Sequence, residues 1–195
     1  MRWRTKVLIA TGVVVVAGLG YLALAIARHG YSAKEKPSRL EAFLARHARK
    51  IATPAGAKEL KNPYPATPES LAAARAHWAE HCATCHALDG GGNTVIGRNL
   101  YPKAPDMRDA LTQGLRDGEL YYIIANGVRF TGMPAWGGED SPEEIWQLVS
   151  FIRHLPQLTP EELEEMQKTA AGPESQGHTH PGGNTHRPGT PPHKD

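Results

Sequence analysis

Cys82-Ala83-Thr84-Cys85-His86 holds both cysteines of the chain, three positions apart, with a histidine directly after the second. Thiols at that spacing sit about one helical turn from each other. They can reach the two vinyl groups along one edge of a porphyrin, while the next imidazole is held against the iron. The motif therefore reads as an attachment site for one covalent haem c, with thioethers from Cys82 and Cys85 and with His86 as the proximal iron ligand. The same residues would also suit a redox dithiol, a structural disulfide or half of a zinc site. Zinc wants two further Cys or His ligands at short spacing, and there is no second cysteine pair. A thioredoxin-like dithiol wants a βαβ setting, which the pattern lacks.

A haem with one histidine has an open face, which Met or His commonly closes. Met133 lies in Thr131-Gly132-Met133-Pro134-Ala135-Trp136-Gly137-Gly138, where Gly and Pro impose a loop. A loop can present the thioether end-on, so Met133 is the candidate distal iron ligand. Met107 suits an apolar pocket wall. Met166 falls in an acidic segment expected on the surface, and Met1 is terminal. His77 and His81 share a helix with His86 and reach the opposite face with difficulty; His154 sits near a helix end and fits poorly.

The elements that must position these residues are helical. Thr67-Pro68-Glu69 supplies an N-cap, a proline at the first turn and an early acid, opening a helix from Pro68 to about His86. The run Gly90-Gly91-Gly92-Asn93 ends it as a loop. Residues 93–116 read as loop with one short helix. Asp117 caps a helix over Glu119 to Asn126 that stops at Gly127. Ser141-Pro142-Glu143-Glu144 is a capping box; its helix carries Ile145, Trp146, Leu148, Val149 and Ile152 on one face. Thr159-Pro160-Glu161-Glu162 opens a last short acidic helix. No strand is expected, so the fold class is all-α with much loop.

Residues 7–27 carry no charge and follow Arg2, Arg4 and Lys6. At 1.5 Å per residue they span about 31 Å, close to the hydrocarbon core of a bilayer. An uncleaved transmembrane anchor is the expectation, with a signal peptide ending near Ala25-Ile26-Ala27 as the competitor. Both export the rest of the chain. The expected order is residues 1–6 cytoplasmic, 7–27 anchor, 28–66 basic connector, 67–156 haem domain, 157–170 short acidic helix and 171–195 tail. In the connector Leu40, Phe43, Leu44, His47 and Ile51 recur at helical spacing among Arg39, Arg46, Arg49 and Lys50. That pattern reads as a short basic helix near the membrane or, equally, as a solvated linker helix. The tail is rich in Pro and Gly and is expected to be disordered. Its His178, His180, His186 and His193 are candidate ligands for Cu, Ni or Zn, beside the plainer reading of a solvated polar tail.

The net charge of +2 is unevenly spread: residues 1–61 carry +9, residues 62–156 carry −4 and residues 157–195 carry −3. A nucleic-acid partner would need a basic folded module. The candidate haem domain has the opposite sign.

Over residues 67–156 the chain resembles the class I mono-haem c-type cytochromes. The resemblance rests on Trp78 ahead of Cys82-Ala83-Thr84-Cys85-His86, on Gly97-Arg98-Asn99-Leu100-Tyr101-Pro102, Gly118-Glu119-Leu120-Tyr121 and Asn126-Gly127. Gly132-Met133-Pro134-Ala135-Trp136 and Glu144-Ile145-Trp146-Gln147-Leu148-Val149-Ser150-Phe151-Ile152 complete it. It implies a small cytochrome c fold whose first and last helices cross, with Trp78 against the face carrying Trp146 and Phe151. Arg98 is a departure: many relatives have Pro beside Asn99, and its carbonyl accepts a bond from the proximal imidazole. Pro102 is a candidate for that role.

His/Met ligation fills both axial positions, so the expected chemistry is one-electron transfer. The expected partners are redox proteins of a respiratory chain or periplasm. The expected location is a bacterial inner membrane, with one span and the haem domain on the periplasmic side. The competing functions are a haem relay subunit of a respiratory oxidase or periplasmic dehydrogenase, and a five-coordinate gas-binding haem protein.

Overall fold

The computed structural model describes residues 3–30 and 32–171. The four tail histidines, and the segment expected to be disordered apart from Ala171, lie outside the described residues.

The apolar run forms α1 (Trp3–His29), 27 residues long. Its mean hydropathy reaches 2.4, and none of that stretch is buried against the rest of the chain. It is therefore a candidate membrane anchor by length and composition. The basic connector forms α2 (Arg39–Ala52), opened by a capping box in which Ser38 and Glu41 satisfy each other's backbone N–H. A short α3 (Ala55–Lys58) follows. Asn62 then joins the folded body: its amide donates to the Trp146 carbonyl at 3.1 Å and to the Ser150 hydroxyl at 2.9 Å.

The helix expected over residues 68–86 is one path made of three parts. α4 (Pro68–His77) starts at the Thr67 cap. A π turn over Trp78–Cys82 widens it, with the Ala83 N–H reaching the Trp78 carbonyl, and α5 (Ala83–His86) closes it. Single π turns inside α-helices are frequent at functional sites; this one carries Cys82. The segment 93–116 holds two short helices, α6 (Val95–Asn99) and α7 (Ala110–Gln113), rather than one. α8 (Asp117–Asn126) ends at Gly127, and α9 (Pro142–His154) starts at the Ser141 capping box. Among the described residues there is no strand, only an isolated bridge between Gly137 and Asp140.

The core forms where α4 and its π turn cross α9. The Trp78 and Phe151 rings meet at 5.6 Å between centroids. Trp146 stacks on Tyr121 of α8 at 4.5 Å, which ties α8 to the same core. Arg153 of α9 holds the α7–α8 junction, donating to the Gln113 carbonyl at 2.7 Å, to the Leu115 carbonyl and to Asp117.

α10 (Pro160–Ala171) corrects one sequence expectation. Met166 is not a surface residue; it is 1% exposed and belongs to the core. The acidic face of α10 folds back onto α4, where Arg75 pairs with Glu162 at 2.8 Å and with Glu165 at 2.6 Å. His154 meets Glu162 at 2.9 Å. These ion pairs carry the charged side of the helix and leave Met166 free to turn inward.

Candidate functional site

His86 closes α5 and is buried, at 8% exposure. Its Nδ1 is enclosed and has no hydrogen-bond partner. Burial pushes the imidazole below its ordinary pKa, and the backbone carbonyl of Pro105 pulls the other way. A buried imidazole beside a backbone carbonyl suits a metal-ligating histidine, in which such a carbonyl holds one ring nitrogen while the other is left for the metal. The carbonyl beside the ring belongs to Pro105 and not to Pro102. Pro102 follows a cis peptide bond in the same loop.

The backbone after His86 is strained. Ala87 has φ 64° and ψ 162°, a region that essentially only glycine adopts readily. Three hydrogen bonds hold it there. Ala87 N–H donates to the Ala83 carbonyl at 2.9 Å, Trp78 Nε1 donates to the Ala87 carbonyl at 3.0 Å, and Gly92 N–H donates to the His86 carbonyl at 2.8 Å. Trp78 also flanks the imidazole, with ring centroids 5.8 Å apart. The core residue and the candidate ligand are thus positioned by one another.

Cys82 and Cys85 are free, half-buried thiols. Burial pushes the Cys82 thiol up to about 12, helped by the charge of Asp140 and by Cys85. A redox dithiol works through a thiolate of depressed pKa, so the shift runs against that reading. Among the described residues no group of three or more His, Cys, Asp or Glu side chains is placed to hold a metal ion, which leaves the half-zinc reading without partners.

Met133 lies in the loop between Gly127 and Trp136 and is half-buried. Its N–H donates to Thr131 Oγ1 at 3.1 Å, and its carbonyl accepts from Val128 N–H at 3.1 Å. Gly127 has φ +64°, and a Cβ there would stand 2.7 Å from the Met133 carbonyl oxygen; only glycine lets the loop fold back so tightly. Gly132 backs onto the Leu100 side chain just after α6. α6 in turn lies on α5, where a Cβ on Gly97 would stand 2.2 Å from the Cys85 carbonyl oxygen. The Met133 loop and the cysteine helix therefore border the same short element. Val95 and Ile96 on α6, and Phe130 at 93% exposure on the Met133 loop, are exposed large apolar side chains on these two elements. A buried histidine, two thiols one turn apart and exposed apolar side chains on the neighbouring elements would suit a porphyrin.

Residues 69–152 match the family model described as cytochrome c oxidase, cbb3-type, subunit III. Over those residues the chain is similar to a c-type cytochrome domain. The match starts in the first turn of α4 and ends near the close of α9, so it contains Cys82, Cys85, His86 and Met133 and leaves out α1, α2 and α10. A c-type cytochrome domain implies haem c and haem-based electron transfer, with redox partners of a respiratory chain.

The matched residues also contain a cluster that the sequence did not announce. His77 Nε2 lies 3.2 Å from Asp140 Oδ2. His77 and His81 face each other at 4.8 Å between centroids, and Trp136 packs 5.6 Å from His81. Asp140 is 63 positions from His77, and nothing in the local pattern of either residue points to the other. Both histidines thus face the segment after Met133.

Proposed function

We propose that this chain is a membrane-anchored one-electron carrier with a single covalent haem c. Cys82 and Cys85 would hold the haem through two thioethers. His86 is the proximal ligand and Met133 the distal ligand. A haem held there supplies reversible ferric–ferrous cycling, one electron at a time. The protein's own residues do the rest. Trp78 and the strained Ala87 fix the imidazole, the Pro105 carbonyl orients it, and the exposed apolar side chains of α6 and the Met133 loop would cover a bound haem. A thioether ligand and apolar walls both favour the ferrous state and raise the potential. α1 anchors the domain in a bacterial inner membrane, with the haem on the periplasmic side.

The observation that carries this reading is the buried His86 imidazole, beside the Pro105 carbonyl and directly after the second of two free thiols. The test is spectroscopic. Ferric holoprotein is expected to show the weak far-red sulfur-to-iron band and ferrous holoprotein to resist carbon monoxide. In Met133→Ala the band is lost and carbon monoxide binds. An unchanged spectrum in that variant rejects Met133; carbon monoxide binding by the unmodified protein favours the five-coordinate reading.

The description of the matching family favours a second reading, in which the domain is a haem relay within a respiratory oxidase. Purification from native membranes separates the two: oxidase subunits co-purify in stoichiometric amount if the domain is a relay, and the cytochrome is recovered alone if it is a free carrier.

A further inference from the structure

We infer that α2 is a membrane-surface helix, lying in the bilayer interface with its apolar arc in lipid and setting the orientation of the cytochrome domain. This rests on the reading of α1 as an anchor. No residue of α2 is buried, yet Leu40 (67% exposed), Phe43, Leu44 and Ile51 (83% exposed) are open to solvent. At 100° per residue they fall, with His47, within an arc of roughly 100°. The Phe43 and His47 rings lie 3.9 Å apart between centroids, tilted against each other, which keeps that arc continuous. Arg39, Arg46, Arg49 and Lys50 occupy a neighbouring arc, and Lys34 and Lys36 precede the helix. An amphipathic helix with an exposed apolar stripe and a basic flank is the form that binds an anionic lipid surface.

Two further observations select lipid over another occupant. The linker from residue 30 to 38 spans at most about 30 Å when fully extended, so α2 cannot leave the neighbourhood of a membrane that holds α1. The helix is also tied to the cytochrome domain on its other flank. Glu41, which caps α2, accepts a hydrogen bond from the Tyr101 hydroxyl in the loop that follows α6. Lys58 Nζ of α3 donates to the Lys50 carbonyl at the end of α2, at 2.6 Å. Lipid binding by the apolar arc would therefore fix how the α6 side of the domain faces the membrane.

The test uses the full-length holoprotein in vesicles of phosphatidylethanolamine and phosphatidylglycerol. Single nitroxides are placed through Leu44→Cys, Arg46→Cys or Val14→Cys, and their collisions with oxygen and with a water-soluble nickel chelate are compared. The Leu44 label is expected to be several-fold more open to oxygen than to the chelate, with the order reversed at Arg46. Glutamine at Arg46, Arg49 and Lys50 together is expected to weaken the protection of Leu44. Equal chelate access at Leu44 and Arg46, with Val14 still protected, overturns this inference and leaves the anchor standing. Chelate access at Val14 overturns the anchor and the inference together. Spin–spin broadening at Leu44 that unlabelled protein dilutes away would show a second copy on the face, and also overturns it.

Discussion

His77 and Asp140 meet at 3.2 Å between Nε2 and Oδ2, joining α4 to the turn ahead of α9 in a largely buried setting. Burial is the main influence on Asp140 and pushes its carboxyl above the ordinary range; Glu144 adds to that, while His77 and His81 oppose it. The same carboxylate acts on Cys82. A carboxyl that holds its proton more tightly folded than unfolded contributes most when protonated. Its contribution is lost as pH rises through the interval between the unfolded value and the raised folded one. Asp140→Asn is expected to flatten stability across that interval. Urea unfolding of both proteins at a series of pH values checks this; parallel pH profiles would reject it.

Ala87 offers a stabilising change. A residue with a side chain at φ 64° and ψ 162° stores roughly 1–3 kcal/mol of strain, partly offset by the flexibility glycine adds to the unfolded chain. Ala87→Gly is expected to gain about 1 kcal/mol net, seen as a higher urea midpoint at unchanged slope. A lower midpoint would mean that the strain is absent.

Gly97 has the opposite sensitivity. Its missing side chain lets α6 lie on the Cys85 carbonyl at a distance no Cβ tolerates, and the obstacle is backbone that cannot rotate away. Gly97→Ala is expected to cost about 2–3 kcal/mol by overpacking and to lower the haem content of purified protein, measured by haemochrome absorbance per mole of chain. Full haem loading with unchanged stability would refute the close packing of α6 on α5.

Met166 separates a core role from a surface one. An exposed methionine changed to alanine would shift stability by at most about 0.5 kcal/mol. A buried one costs about 2–5 kcal/mol. Met166→Ala is expected in the second range by thermal or urea unfolding.

The caps and the attachment motif were legible because their causes are local. Thr67, Ser141 and Thr159 each satisfy a backbone N–H three residues away, and Cys82, Cys85 and His86 are related by a single helical turn. The apolar stripe of α9 was legible for the same reason, since one helical period places it. Met166 was not legible as a core residue, because its acidic neighbours read as a surface helix. Their partners, Arg75 and His154, are supplied by other helices.

Residue types and short spacings by themselves determined the all-α class, the candidate haem ligands and the apolar span at the N-terminus. Tertiary structure alone decided that Pro105 rather than Pro102 brings its carbonyl to His86, that His77 meets Asp140, that Glu41 meets Tyr101 and that Met166 lies inside. The physical reason is range. A cap or a one-turn motif is satisfied within a few residues of itself, whatever the rest of the chain does. A carbonyl or carboxylate that serves a distant side chain acquires its role only when packing brings the two segments together.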